Sequence, residues 1–338
     1  VTAHLPQHDP SDPVETAVIR GLVRSWPRRA TVRRREPELD APTMDELYDE
    51  GLTDFPEAML PFAGYPLWER LDDERRTRVR AWAWIAYNKS VIDIEQDVVT
   101  PAFGLLFRDA FDTGLSDADR AAVVQSMVDE EYHTLMHLNA STLTSQRRGW
   151  ELPDATLPKS LTARRHREAL ARAASPRSAA LTSLAYATVA ETSIADYLTL
   201  VAEDPTIQPV HRATIALHRR DERAHASVSA EMIVLVYDRL DSRDREILVH
   251  ALRDAVEAFT ATDTAVWSTI LAAERTPDGE SMLREAAEGA GRRRLLQDCS
   301  AIDRLLARLG VADDTGSPGH SAAPAPSRFP IPRHRPRI

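Results

Sequence analysis

The stretch "SAALTSLAYATVAETSIA", Ser178 to Ala195, contains one formally charged residue, Glu191. A segment this apolar on every side reads as a helix buried all round. A carboxylate inside such a helix is costly unless it is neutralised, paired or bound to a metal. The chain must therefore fold so that groups on neighbouring elements meet Glu191. No other feature restricts the architecture as much.

Other residues supply the partners. Glu95 interrupts an apolar stripe made by Val91, Ile92, Val98 and Val99. "DEEYH" sets Glu130 and His133 at i, i+3, and "DERAH" sets Glu222 and His225 at the same spacing, so each pair shares a helix face. The chain order is Glu95, Glu130-x-x-His133, Glu191, Glu222-x-x-His225, with the carboxylates 35, 61 and 31 residues apart. These separations leave room for each to lie on its own helix. Four helices offering Glu, ExxH, Glu and ExxH form the ligand set of a dinuclear carboxylate site in a four-helix bundle.

The residue types suit that chemistry. Four glutamates balance the charge of two divalent iron or manganese ions, and imidazole suits iron better than magnesium or calcium. A lone ExxH on a helix is commonly a surface pair; two, each with an upstream glutamate, are far more specific. Asp129 and Asp221 stand beside the paired glutamates, where they can hold ligand histidines through a ring N–H. His218 stacks one turn before Glu222. A hydrogen-bonded core histidine and a further ligand are both open for it. His137 and His211 read as core histidines. Arg219, Arg220 and Arg223 read as facing water or the acids around the site.

Elsewhere the pattern is helical, with few glycines and no alternating strand-like runs. Glu74 to Val99 reads as one long helix stopped before Pro101. Ser116 with Asp119 reads as a capping box, and Pro176 and Pro209 open two further helices. The expected fold is all-α: a ferritin-like four-helix bundle core housing a dinuclear metal site, with additional flanking helices. Residues 1–18 are expected as a mobile arm, 19–315 as a single helical domain and 316–338 as a Pro-rich flexible tail.

A net charge of -10 argues against general nucleic-acid binding. "RSWPRRATVRRRE", Arg24 to Glu36, is a local exception, read as a solvated or dimer-contact segment because acidic "EPELD" follows. The single cysteine, Cys299, excludes an internal disulfide and a Cys-based zinc site. No basic-then-apolar start and no membrane span are evident, so the expectation is a cytoplasmic protein.

The segments "LVRSWPRRA", "LPFAGYPLW", "AYNKSVIDIEQ", "VDEEYHTLMH", "TVAETSIA" and "DPTIQPVHRATIALHRRDERAHASV" carry a resemblance over roughly residues 20–310. The chain resembles the di-iron arylamine N-oxygenases of antibiotic biosynthesis, the family that includes p-aminobenzoate N-oxygenase. The resemblance implies a ligand set of Glu95, Glu130, His133, Glu191, His218, Glu222 and His225, with His218 as a ligand that tunes reactivity. It also implies two irons, O2 as co-substrate, an external electron donor and a homodimer. The implied reaction takes an aromatic amine through hydroxylamine and nitroso stages to the nitro compound.

In the p-aminobenzoate branch an arginine stands five positions before the first ligand glutamate and suits a substrate carboxylate. Here that position is Ser90, next to Lys89. The departure points to a bulkier aryl amine without a benzoate carboxylate, as in the branch that forms chloramphenicol from its aryl-amine precursor. The same ligands could also serve a di-iron C-hydroxylase or desaturase, or a ferritin-like iron store.

Overall fold

The computed structural model describes residues 16–149, 156–289 and 300–311. Residues 1–15 of the expected arm, Cys299 and the expected tail from 316 lie outside the described residues. In chain order the helices are α1 (Ala17–Arg29), α2 (Ala41–Glu46), α3 (Pro66–Glu69), α4 (Asp73–Ile94), α5 (Thr100–Phe107), α6 (Asp117–Arg148), α7 (Leu161–Arg172), α8 (Pro176–Ala202), α9 (Pro209–Arg239), α10 (Ser242–Thr260), α11 (Thr264–Ala273), α12 (Gly279–Gly289) and α13 (Ser300–Arg308). The described residues include no β-strand, only an isolated bridge between Thr53 and Ile207.

Local chemistry sets the helix ends. Ser116 accepts from the Asp119 N–H while the Asp119 carboxylate accepts from Ser116, and Gly149 at φ 59° closes α6 in the left-handed conformation. Ser175 and Ser178 make the same reciprocal cap on α8, with Pro176 at its first turn. Pro209 opens α9, as expected.

The expectation that the first long helix stops before Pro101 is corrected. The chain passes from α4 through a π-helical turn, Glu95–Val99, directly into α5. Pro101 sits in the first turn of the resumed helix, where its missing N–H costs least. A π turn inserts extra backbone and is often found at functional sites. Here it begins at Glu95.

The bundle closes as a ring of four members. The α4–α5 unit packs on α6, α6 on α9, α9 on α8, and α8 back on α5 and the π turn. Two apolar clusters fill its interior. One includes Val98, Phe103, Leu184, Val189, Val228 and Met232; the other includes Trp84, Val91, Ile194, Leu198 and Ile215. Between them lies a buried polar layer, at Glu191 on α8 and at His218 to His225 on α9. Each large apolar side chain in those clusters contributes about 1.5–3 kcal/mol, so the layer is held from both ends. Of the flanking helices, α10 covers α8, and α1 lies across α6 and α9.

The arginine-rich segment is also corrected. It is not simply solvated: Ala30 and Thr31 are fully buried and Trp26 and Arg29 are partly so, while Arg24, Arg28, Arg33, Arg34 and Arg35 stay exposed. Its inward residues meet acids on α6 and α9.

Candidate metal centre

All seven expected ligands are brought together and are no more than 1 % exposed. They form two overlapping groups. Glu95, Glu130, His133, His218 and Glu222 make one, and Glu130, Glu191, Glu222 and His225 the other, with the candidate ligand atoms in each group within 4.8 Å of one another. Glu130 and Glu222 belong to both groups, as bridging carboxylates between two ions would.

The polar atoms are close but mostly not bonded to one another. His225 Nδ1 lies 2.7 Å from Glu130 Oε1, yet neither atom has a hydrogen-bond partner. Glu95 Oε2, Glu191 Oε2 and Glu222 Oε2 are likewise buried without a partner. Donors held at about 2.1 Å around one ion, at right angles, lie about 3 Å apart. His133 Nδ1 to Glu222 Oε1 is 3.3 Å, and His218 Nε2 to Glu222 Oε1 is 2.9 Å. The side chains therefore fit a pair of metal ions on three counts: orphaned oxygens, mixed N/O donors, and spacing.

The electrostatics point the same way. Burial, and then Glu130, pushes Glu95 and Glu191 well above the usual carboxylate range. Burial also opposes charge on Glu130 and Glu222, but His225 and His133 together hold Glu130 low, and His225, His133 and His218 together hold Glu222 low. Burial disfavours the cationic forms of His133 and His225, yet the surrounding carboxylates together drive both well above the usual imidazole value: Glu130, Asp221 and Glu222 for His133, and Glu130, Glu222 and Asp129 for His225. Without metal, protons on histidine carry the compensating charge. Two divalent ions supply enough charge to leave all four glutamates ionised and the imidazoles free to ligate.

Asp129 and Asp221 hold two of the candidate ligand histidines crosswise. Asp129 on α6 takes His225 Nε2 from α9 at 3.1 Å, and Asp221 on α9 takes His133 Nε2 from α6 at 3.3 Å. Each aspartate is in turn held by the N-terminal segment. Trp26 Nε1 donates to both oxygens of Asp129 at 3.0 Å. The Thr31 N–H donates to Asp221 at 3.1 Å, and Arg29 reaches the same carboxylate at 3.3 Å. The sequence did not single out Trp26, Arg29 or Thr31; the only signal is an aromatic within an arginine run. The other arginines behave as expected: Arg219 reaches Thr199 and Glu203, Arg220 meets Glu36, and Arg223 is exposed.

His211 is a core histidine, bonded to the Asp54 carbonyl and Thr144 and stacked on Trp84; burial holds its pKa down at about 3. His137 is also buried, but it touches the site, with Nε2 2.8 Å from His218 Nδ1.

Beside the cluster lies a largely apolar cavity of about 140 Å³. None of the seven residues lines it. Its wall includes Ile94, next to Glu95, and Ile194, one turn beyond Glu191, together with Tyr87, Ser90, Tyr197 and Trp267. Among the described residues, no arginine lines it. Lys89 reaches it, but its ammonium lies 3.0 Å from both oxygens of Asp93, a carboxylate that also receives Lys159 at 2.9 Å.

A four-helix bundle that buries four glutamates and three histidines in one layer defines the class of carboxylate-rich metal-binding bundles. The chain matches the family described as "P-aminobenzoate N-oxygenase AurF" over residues 12–310. It is 35% identical over 303 residues to a 4-aminobenzoate N-oxygenase of Streptomyces thioluteus, covering 89% of this chain and 88% of that protein. The chain belongs to the p-aminobenzoate N-oxygenase family and is an N-oxygenase. Among the described residues, no helix is long and apolar enough to cross a membrane.

Proposed function

We propose that the protein oxidises an aromatic amine to the nitro compound, through hydroxylamine and nitroso stages, using O2 at a di-iron centre. The observation that carries this is the pair of overlapping ligand groups, sharing Glu130 and Glu222, beside an apolar cavity of aryl dimensions. Glu95, His133 and His218 would hold one iron and Glu191 and His225 the other, and Glu130 and Glu222, which belong to both groups, would supply carboxylate to either. The iron pair supplies O2 binding and electron transfer. In the first stage one oxygen atom enters an N–H bond of the amine; the other leaves as water, with two electrons and two protons from an external donor. The chain's own part is to hold the ring in a dry cavity and to keep water from the reacting nitrogen.

Ser90 on the cavity wall, the absence of arginine there and the neutralised Lys89 all favour a substrate without a benzoate carboxylate. The chloramphenicol-pathway aryl amine is such a substrate, and the proposal therefore includes a role in antibiotic biosynthesis. It also includes a homodimer in the cytoplasm, served by a separate reductant. Turnover of p-aminobenzoate against the amine precursor of chloramphenicol, read by product mass, tests it. The precursor is expected to be preferred and to give a nitro product. Preference for p-aminobenzoate would overturn the substrate assignment.

A further inference from the structure

The three ligand histidines are not supported alike. His133 and His225 turn Nδ1 to the cluster, and each gives Nε2 to an aspartate. His218 is reversed. Its Nε2 faces Glu222 at 2.9 Å and Glu95 at 3.8 Å, and its Nδ1 meets a neutral side chain, His137.

Behind His137 the hydrogen bonds fix the direction of every proton. The Asn88 amide nitrogen lies 2.7 Å from the Trp84 carbonyl. A carbonyl only accepts, so the amide nitrogen must face it, and Asn88 Oδ1 faces His137 Nδ1 at 2.7 Å. That oxygen also only accepts, so His137 Nδ1 carries the proton. The ring nitrogens of His137 are met by Asn88 and His218, with no carboxylate to stabilise a second proton. His137 Nε2 is therefore a bare acceptor, and His218 Nδ1 must donate to it. The lone pair of His218 is left on Nε2, directed at the cluster. A lone pair 2.9 Å from a carboxylate oxygen needs a cation between them.

We propose that Asn88 and His137 are positioning residues that set His218 as an Nε2 donor. The proposal rests on the cluster being a metal centre. A carboxylate partner raises the basicity of a ligand imidazole, and a neutral partner raises it less. The relay thus makes His218 the weakest donor of the three, and the one most readily released. The sequence gives no hint of this, because Asn88 and His137 lie on α4 and α6 while His218 lies on α9.

The test is a Co(II) titration of the full-length chain, read by visible absorption. His137→Phe removes the acceptor and leaves a buried N–H unpaired; Co(II) affinity at one of the two positions is expected to fall at least tenfold, with a changed spectrum. His137→Gln offers an amide oxygen to the same proton and is expected to restore both. Asn88→Leu, which removes the oxygen that takes the His137 Nδ1 proton, is expected to lower the same affinity. Histidine-¹⁵N spectra of the Zn(II)-loaded wild type should show a protonated Nδ1 on both His137 and His218, whether or not the variants fold. A proton on His218 Nε2, or wild-type affinity and spectrum in His137→Phe, overturns the relay alone. A wild-type chain that takes up no Co(II) overturns the metal centre and the relay with it.

Discussion

Glu191→Leu is expected to stabilise the metal-free chain while destroying the metal site. Glu191 is 1 % exposed, its Oε2 has no hydrogen-bond partner, and its nearest potential cation, His225 Nδ1, is 3.8 Å away. Burial, and then Glu130, raises its pKa well above the usual range. Holding a carboxyl protonated at pH 7 against an ordinary value of about 4.3 costs about 3.7 kcal/mol at 1.36 kcal/mol per unit, which is a ceiling on the ionisation penalty. Replacing buried charged groups with apolar ones of similar volume stabilises by about 1–4 kcal/mol where the charges are poorly compensated. The expected gain is therefore between about 1 and 3.7 kcal/mol. The sign follows from linkage. A raised folded-state pKa means that the folded chain binds more protons, so the penalty is absent below about pH 4.3 and grows as pH rises. Urea unfolding of both metal-free proteins at pH 5 and pH 7 should show an advantage for Glu191→Leu that widens at pH 7. Metal analysis should show loss of at least one ion per chain. A destabilised Glu191→Leu would show that Glu191 is not an uncompensated buried acid, and one that still binds two ions would show that it is not a ligand.

Three further outcomes follow from the same geometry. Trp26→Phe removes the N–H that holds Asp129, and through it His225; metal affinity should drop by about 10–100-fold in a Co(II) titration, with the helical content unchanged. Ser90→Arg places a guanidinium on the cavity wall and should raise kcat/KM for p-aminobenzoate relative to an uncharged aryl amine by about 10–100-fold, the value of a charge-assisted hydrogen bond of about 1.5–3 kcal/mol. Metal loading at pH 7 should release roughly four protons, from His133, His225, Glu95 and Glu191, detectable by calorimetry in buffers of different ionisation enthalpy. In the metal-free chain those two raised histidines stabilise fully below about pH 6.5, and the effect is lost as pH rises through their folded values.

Glu95, Glu191 and the two ExxH pairs were legible as candidate ligands because each broke a local rule, whereas His218 stood out only through the family resemblance. A charge in an apolar helix, and twin ExxH spacings, are visible without the fold. The capping box at Ser116 and the prolines at 176 and 209 were legible for the same reason, since caps are local chemistry. What could not be read depends on long-range contact. Trp26 and Asp129 are 103 residues apart, and Thr31 and Asp221 are 190 apart. Nothing in an arginine-rich run says that its tryptophan and threonine turn inward. The crosswise support of His225 by Asp129 and of His133 by Asp221 emerges only when α6 and α9 lie side by side. The π turn at Glu95 escapes a search for a 3.6-residue period, so Pro101 looked like a stop. The cavity wall draws on α4, α8, α11 and the turns beside α7 and α10, and no single segment announces it.

N-oxygenation of an aryl amine at a buried pair of irons is tested by ¹⁸O2 labelling. The chain should be loaded with Fe(II), assayed for metal, and exposed to ¹⁸O2 with the aryl-amine precursor and a chemical reductant. Two irons per chain and ¹⁸O on the amine nitrogen, ending in a nitro group, are predicted. ¹⁸O on carbon, or an unchanged amine from fully loaded protein, would contradict it.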